Sequence, residues 1–278
     1  MGSGSGIGMI KIKFPLVALL GVLALAACSS PKESYTERPV ETIYNNAMDQ
    51  LFASDYKNAA KTFDEVEAQH PYSVWATKAQ LMEAYVLYED KRYDESIIAA
   101  DRFIQLHPGH RDVAYAYYLK ALDYYIQITD VERDQKITQQ AYDSLAEIVR
   151  RFPDSPYARD AKFKMDLARD HLAGKEMEIG RWYENQGEYL AAINRFQTVI
   201  NTYQTTTHVP EALHRLVECY YALGLKDQAD RTASVLGYNY GNTPWYQSTY
   251  SLVTTGKQPS KVAERSWISK VVDPFGLF

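Results

Sequence analysis

Tyr72 to Pro108 reads YSVWATKAQLMEAYVLYEDKRYDESIIAADRFIQLHP, and this stretch decides the fold. Trp75, Ala79, Leu81, Met82, Tyr85, Val86 and Tyr88 recur at steps of three and four, which gathers them on one side of a helix with 3.6 residues per turn. Glu89 to Arg92 then form a polar turn. The apolar period restarts at Tyr93 with Ile97, Ala100, Phe103, Ile104 and Leu106, and Pro108 stops it because proline has no N–H for the next helical bond. A single amphipathic hairpin cannot bury its own apolar face, so it needs neighbours.

Working outward, the neighbours are present. Pro71 closes a preceding helix pair 37 residues before Pro108, and Pro153 closes a later one 45 residues on. A helix-turn-helix unit of about 34 residues is the spacing of the tetratricopeptide (TPR) repeat. Three triplets keep its internal steps: Tyr56, Ala59 and Phe63; Tyr93, Ser96 and Ala100; Tyr189, Ala192 and Phe196. Ala47, Ala84 and Gly180 fall at the tight-contact position of the first helices. The predicted fold is therefore all-α, a superhelical array of about five TPR repeats.

Predicted helices span about 41–53 and 56–69, 73–90 and 93–107, 110–128 and 135–151, 155–185 and 189–203, and 208–223 and 226–239. The charged insertion Asp130-Val-Glu-Arg-Asp134 explains the longer third unit. After Gly237, the residues Gly241, Pro244, Gly256 and Pro259 break the pattern, so 241–278 reads as a partly disordered extension. Trp245, Tyr246 and Tyr250 are candidates to pack back as a cap. The apolar end around Trp267 and Ile268 is either a docking peptide or a plain tail.

Composition agrees with long helices. The 278 residues are 46% hydrophobic, with only 14 glycines and 11 prolines as breakers. The 23 tyrosines are assigned mainly to seams between helices, with a peptide groove as the alternative for some.

The opening MGSGSGIG, flexible and low in complexity, reads either as an upstream extension or as a scar of expression and is left out of the fold. From Met9, Lys11 and Lys13 precede an apolar run from Phe14 to Ala27, a signal-peptide pattern too short to span a bilayer. Leu25-Ala26-Ala27-Cys28 resembles the bacterial lipobox, which predicts removal of 1–27 and acylation of Cys28. Several acyl chains, at about 0.8 kcal/mol per buried methylene, hold a protein on a membrane. Ser29 in place of aspartate points by the same resemblance to the outer membrane. Residues 28–39, with Pro31 and Pro39, read as an extended tether, and 40–240 as the TPR array.

Removing 1–27 takes two lysines from the 30 bases and none of the 35 acids, which leaves a net charge of −7. That balance, without a long basic run, argues against a nucleic-acid partner. Cys219 is then the one free thiol, set in the apolar pattern Leu213, Leu216, Val217 and Tyr220 as a small buried hydrophobe. The six histidines are scattered, and no His-Glu-x-x-His, nucleophile elbow or phosphate loop occurs. Adjacent carboxylates such as Asp64 and Glu65 point apart on a helix. No metal, cofactor or catalytic site is expected, and the chain does not read as an enzyme.

Three segments carry a more specific resemblance: Pro-Val-Glu-Thr-Ile-Tyr44 after the lipobox, Ala-Ala-Asp-Arg-Phe-Ile-Gln-Leu-His-Pro at 99–108, and Arg-Arg-Phe-Pro-Asp-Ser-Pro-Tyr at 150–157. They resemble the BamD family, also called ComL or YfiO, over roughly residues 25–240, and the longer C-terminus is similar to that of alphaproteobacterial members. The resemblance implies a lipoprotein of the β-barrel assembly machine on the periplasmic face of the outer membrane. It further implies that the N-terminal repeats receive unfolded barrel proteins and that the C-terminal repeats dock the periplasmic domains of BamA, alongside other lipoproteins of the machine. Carried onto this chain, it places a substrate pocket at Tyr72, Trp75, Tyr85 and Arg102, with the aromatics accepting an apolar peptide end and Arg102 its carboxylate. Arg195 matches the family's Asn-Arg pair and is the expected BamA contact. The alternative is a TPR lipoprotein that organises cell-wall enzymes, because a TPR fold alone does not fix function.

Overall fold

The computed structural model describes residues 37–256, together with Gly2. Eleven helices follow one another among these residues: α1 Val40–Phe52, α2 Tyr56–Gln69, α3 Val74–Glu89, α4 Tyr93–Leu106, α5 Val113–Ile126, α6 Lys136–Arg151, α7 Ala158–Asn185, α8 Tyr189–Thr202, α9 Val209–Ala222, α10 Lys226–Tyr240 and α11 Pro244–Thr255. The first ten form the five predicted pairs. Cys28 and residues 257–278 lie outside the described residues.

One backbone device recurs between the two helices of a pair. Ser54, Lys91, Gly187 and Gly224 all have positive φ, and each is the middle residue of a three-residue turn. The residue after it returns its N–H to a carbonyl five positions back: Asp55 to Gln50, Arg92 to Leu87, Glu188 to Tyr183 and Leu225 to Tyr220. A left-handed residue after a helix lets the orphan carbonyls of the last turn find donors. The third pair lacks this turn and carries the charged insertion instead. That insertion is docked: Lys175 Nζ donates to the Glu132 carbonyl at 2.6 Å, and Val131 lies against Gly174, where a Cβ would come within 3.4 Å of it.

Packing follows the repeat positions. Phe63, Phe103 and Phe196 are fully buried, as are Ala47, Ala59, Ala84, Ala100 and Ala192. At Gly180 the helices approach so closely that a Cβ would sit 2.4 Å from the Phe196 ring. Odd-numbered helices pack closely on the next odd-numbered helix along the array, whereas even-numbered helices do not, and α2 and α4 are bridged by a side-chain ion pair, Arg102 with Glu67. The odd helices therefore make the inner rank, and the even ones fan apart and leave grooves between them.

The segment after Gly241 differs from its reading as a pattern-broken extension. Pro244 does not break a helix there; it starts α11, since proline at the first helical position loses only an N–H that has no partner anyway. Thr243 caps that helix by accepting from the Tyr246 N–H at 3.3 Å. Leu252 and the Thr249 side chain are buried against the last repeat, and Gly237 is kept without a side chain by the Tyr246 ring.

Candidate functional site

The four residues expected to form a substrate pocket have different surroundings. Trp75 belongs to the seam of the first repeats, with its ring 4.9 Å from that of Tyr44 and Lys78 Nζ over its face. Tyr85, ten residues on and so about 15 Å further along α3, packs instead with Ala84, Ala100 and Leu119. Tyr72 stands fully exposed in the turn before α3. Helix phase puts Trp75 and Tyr85 in successive inter-repeat seams, where an aromatic serves as packing. Trp75 and Tyr85 therefore stand in different seams about three helical turns apart.

Arg102 does line a cavity. Between α2 and α4, with α3 as its floor, lies an open groove of about 550 Å³. Ala60, Leu87, Ile98 and Ala99 supply its apolar surface, and Lys57 and Lys61 stand one turn apart on one wall. Ile98 is 67% exposed, so an apolar ligand would find a partly uncovered residue there. Arg102 is ion-paired with Glu67 across the even helices. Glu83, in the groove floor, has its carboxyl raised to about 7, mainly by burial and then by the negative charge of Asp64. Asp64, Glu67 and Glu83 place carboxylate oxygens within 4.8 Å of one another. Arg102 and a proton held on Glu83 together offset that crowding. The groove can thus accept a peptide by apolar contact and ion pairing; among the described residues it shows no nucleophile paired with a base.

The predicted partner contact lies elsewhere. Arg195 on α8 pairs with Glu176 on α7 at 3.1 Å and remains 42% exposed. An ionic cluster that sequence reasoning missed joins α7 and α9. Arg181 pairs with Glu178 and Glu211, and Arg215 with Glu211, Glu184 and Glu218, across α7 and α9. Burial raises the Glu184 carboxyl to about 7 despite Arg215. The signal was present as Glu211, Arg215 and Glu218 at steps of four and three, a spacing that also describes an ordinary solvated face. Trp245 of α11 lies over both His214 and the Arg215 guanidinium, while His214 Nδ1 meets Thr249 Oγ1 at 2.7 Å. Burial pushes the His214 imidazole down to about 4, so it is neutral here. Cys219 is fully buried, as its apolar setting predicted, and burial pushes its thiol well up.

No helix among the described residues is long and apolar enough to cross a membrane. A model of the family described as YfiO, outer membrane lipoprotein, matches residues 36–236. A Caulobacter vibrioides protein called outer membrane protein assembly factor BamD is 46% identical over 250 residues, covering 88% of this chain and 82% of that one. A Rickettsia prowazekii protein of the same name is 47% identical over 246 residues, covering 88% and 98%. A Neisseria meningitidis serogroup A counterpart is 36% identical over 249 residues, covering 84% and 93%. Among solved structures, a thermophilic TPR protein of Thermus thermophilus overlaps with a TM-score of 0.36 at 16% identity, covering 77% of this chain and 98% of that one. MamA overlaps with a TM-score of 0.32 at 16% identity, covering 75% and 96%.

Proposed function

Because the chain belongs to the YfiO (BamD) family of outer membrane lipoproteins, we propose that it is a non-catalytic subunit of the β-barrel assembly machine. Held on the periplasmic face of the outer membrane through acylated Cys28, it scaffolds the periplasmic domains of BamA, sits with the other lipoproteins of the machine, and receives unfolded barrel proteins for insertion. The observation that carries this reading is the alignment of 88% of the chain, at 46% and 47% identity, with proteins named as outer-membrane assembly factors. An array of packed helix pairs with open grooves suits a scaffold, since stacked repeats present extended binding surfaces.

Two places on the molecule support the two binding roles. Arg102, at the groove between α2 and α4, is the residue of the expected substrate site that faces an open cavity. Arg195 is exposed enough to exchange Glu176 for an acidic side chain on BamA, and a planar guanidinium holds a carboxylate through two parallel bonds. Reversing its charge therefore weakens docking without touching the core. We predict that Arg195→Glu lowers affinity for the isolated periplasmic domains of BamA at least about tenfold, near 1.4 kcal/mol, with unchanged helicity. Titration calorimetry with Glu176→Gln as the control tests this. Wild-type affinity in Arg195→Glu removes the residue from the interface, and absence of binding by the wild type removes the docking role.

A further inference from the structure

The short turns make successive helices antiparallel, so the start of α1, the turn 70–73 and the turn 107–112 all lie at one end of the first repeats. That end leaves apolar side chains uncovered. Tyr72 is fully exposed, Val74 is 74% exposed and Leu106 56% exposed, with no helix packed over them. Arg111, 84% exposed, reaches out beside them and pairs only with the adjacent Asp112, a surface contact of little strength. An aromatic with a polar tip, two aliphatic side chains and a cation on a long stem match the border between lipid headgroups and acyl chains.

The chain enters at this same end. Eleven residues lie between Cys28 and Val40, and a fully extended segment of that length spans at most about 40 Å. A lipid carried on Cys28 therefore tethers the array by the end that bears Tyr72, Val74, Leu106 and Arg111. The opposite end, about 20 Å away along the 13-residue α1, also exposes apolar side chains, Phe52 and Ile126. Phe52 is thus the natural internal comparison.

We propose that the turns around Tyr72 and Leu106 are a membrane-facing surface that rests on the lipid bilayer to which the Cys28 anchor holds the protein. The proposal rests on the anchored-lipoprotein reading given above. It gives Tyr72 a role consistent with its full exposure, outside any peptide pocket.

The test uses the mature acylated protein in vesicles of phosphatidylethanolamine and phosphatidylglycerol, with no other protein present. Tyr72→Cys, Leu106→Cys and Phe52→Cys, each combined with Cys219→Ala, carry an environment-sensitive fluorophore, and the vesicles carry a headgroup-level quencher lipid. The expected result is severalfold stronger quenching at positions 72 and 106 than at 52, lost when Cys28→Ala prevents anchoring. Equal quenching at all three positions, or stronger quenching at 52, overturns the proposal while leaving the anchor intact. Failure of the acylated protein to float with the vesicles overturns the anchor, and the proposal with it.

Discussion

Ser96 has one hydroxyl hydrogen and two acceptors in reach, the Ala84 carbonyl at 2.9 Å and Asp123 Oδ2 at 2.7 Å. Both contacts of Ser96 become hydrogen bonds when the hydroxyl donates to Ala84 and the carboxyl of Asp123 keeps its proton and donates to Ser96. Burial, assisted by the negative charge of Asp94, raises the Asp123 carboxyl to about 7, and its Oδ1 has no partner within the protein. A carboxyl with a raised folded-state pKa contributes stability that is complete below its unfolded value, near 3.9, and is lost as pH rises through about 7. Asp123→Asn is therefore expected to equal the wild type near pH 3.5 and to exceed it at pH 8 by a few kcal/mol, since each unit of pKa difference is worth about 1.4 kcal/mol. Urea unfolding at the two pH values measures this. Glu83 and Glu184 are raised in the same sense, so the difference from wild type carries the information, and no gain at pH 8 contradicts the assignment. None of this was legible in the sequence, where Asp123 is one acid among 35. Trp75 and Tyr85 pose the complementary difficulty: their residue types suit a binding pocket and a packed seam equally well, and only the position of neighbouring repeats shows that each packs in a seam.

Helix limits were legible to within about three residues, because the apolar period, Pro71, Pro108 and Pro153, and the short polar turns all point to the same boundaries. The helix α11 was not, since Gly241 and Pro244 serve both to end helices and to begin them. Two glycines separate backbone from packing effects at this scale. Gly187 has φ +79° and nothing within 4 Å of where a Cβ would stand. Gly187→Ala should cost about 1–2 kcal/mol through left-handed strain alone. Gly180 is an ordinary helical residue whose Cβ would collide with Phe196. Gly180→Ala gains helix propensity of about 1 kcal/mol but overpacks a tight seam at a typical cost of 1–3, so a net loss is expected. Adding Phe196→Leu should recover part of that loss for Gly180→Ala and none for Gly187→Ala. Thermal unfolding of the four variants distinguishes the cases, and equal recovery in both contradicts the packing account.

For the whole molecule, the architecture assigns different work to different places. Inner-rank helices touch continuously and give the array its continuity, while the fanned even helices leave the groove that contains Arg102. At the far end, α11 closes the last repeat through Leu252, Thr249 and Trp245, so the terminal helix pair is not left with an open apolar face. The array itself was readable from repeat spacing, and its role from short stretches such as 99–108. The groove was not, because Lys57, Glu83 and Ile98 become neighbours only once three helices are packed.

The most direct test of the central claim is affinity capture of the tagged protein from its own membranes in mild detergent, with the co-purifying proteins identified by mass spectrometry. The account predicts recovery of a large barrel protein bearing repeated periplasmic domains. Recovery of cell-wall enzymes without that barrel protein would contradict it.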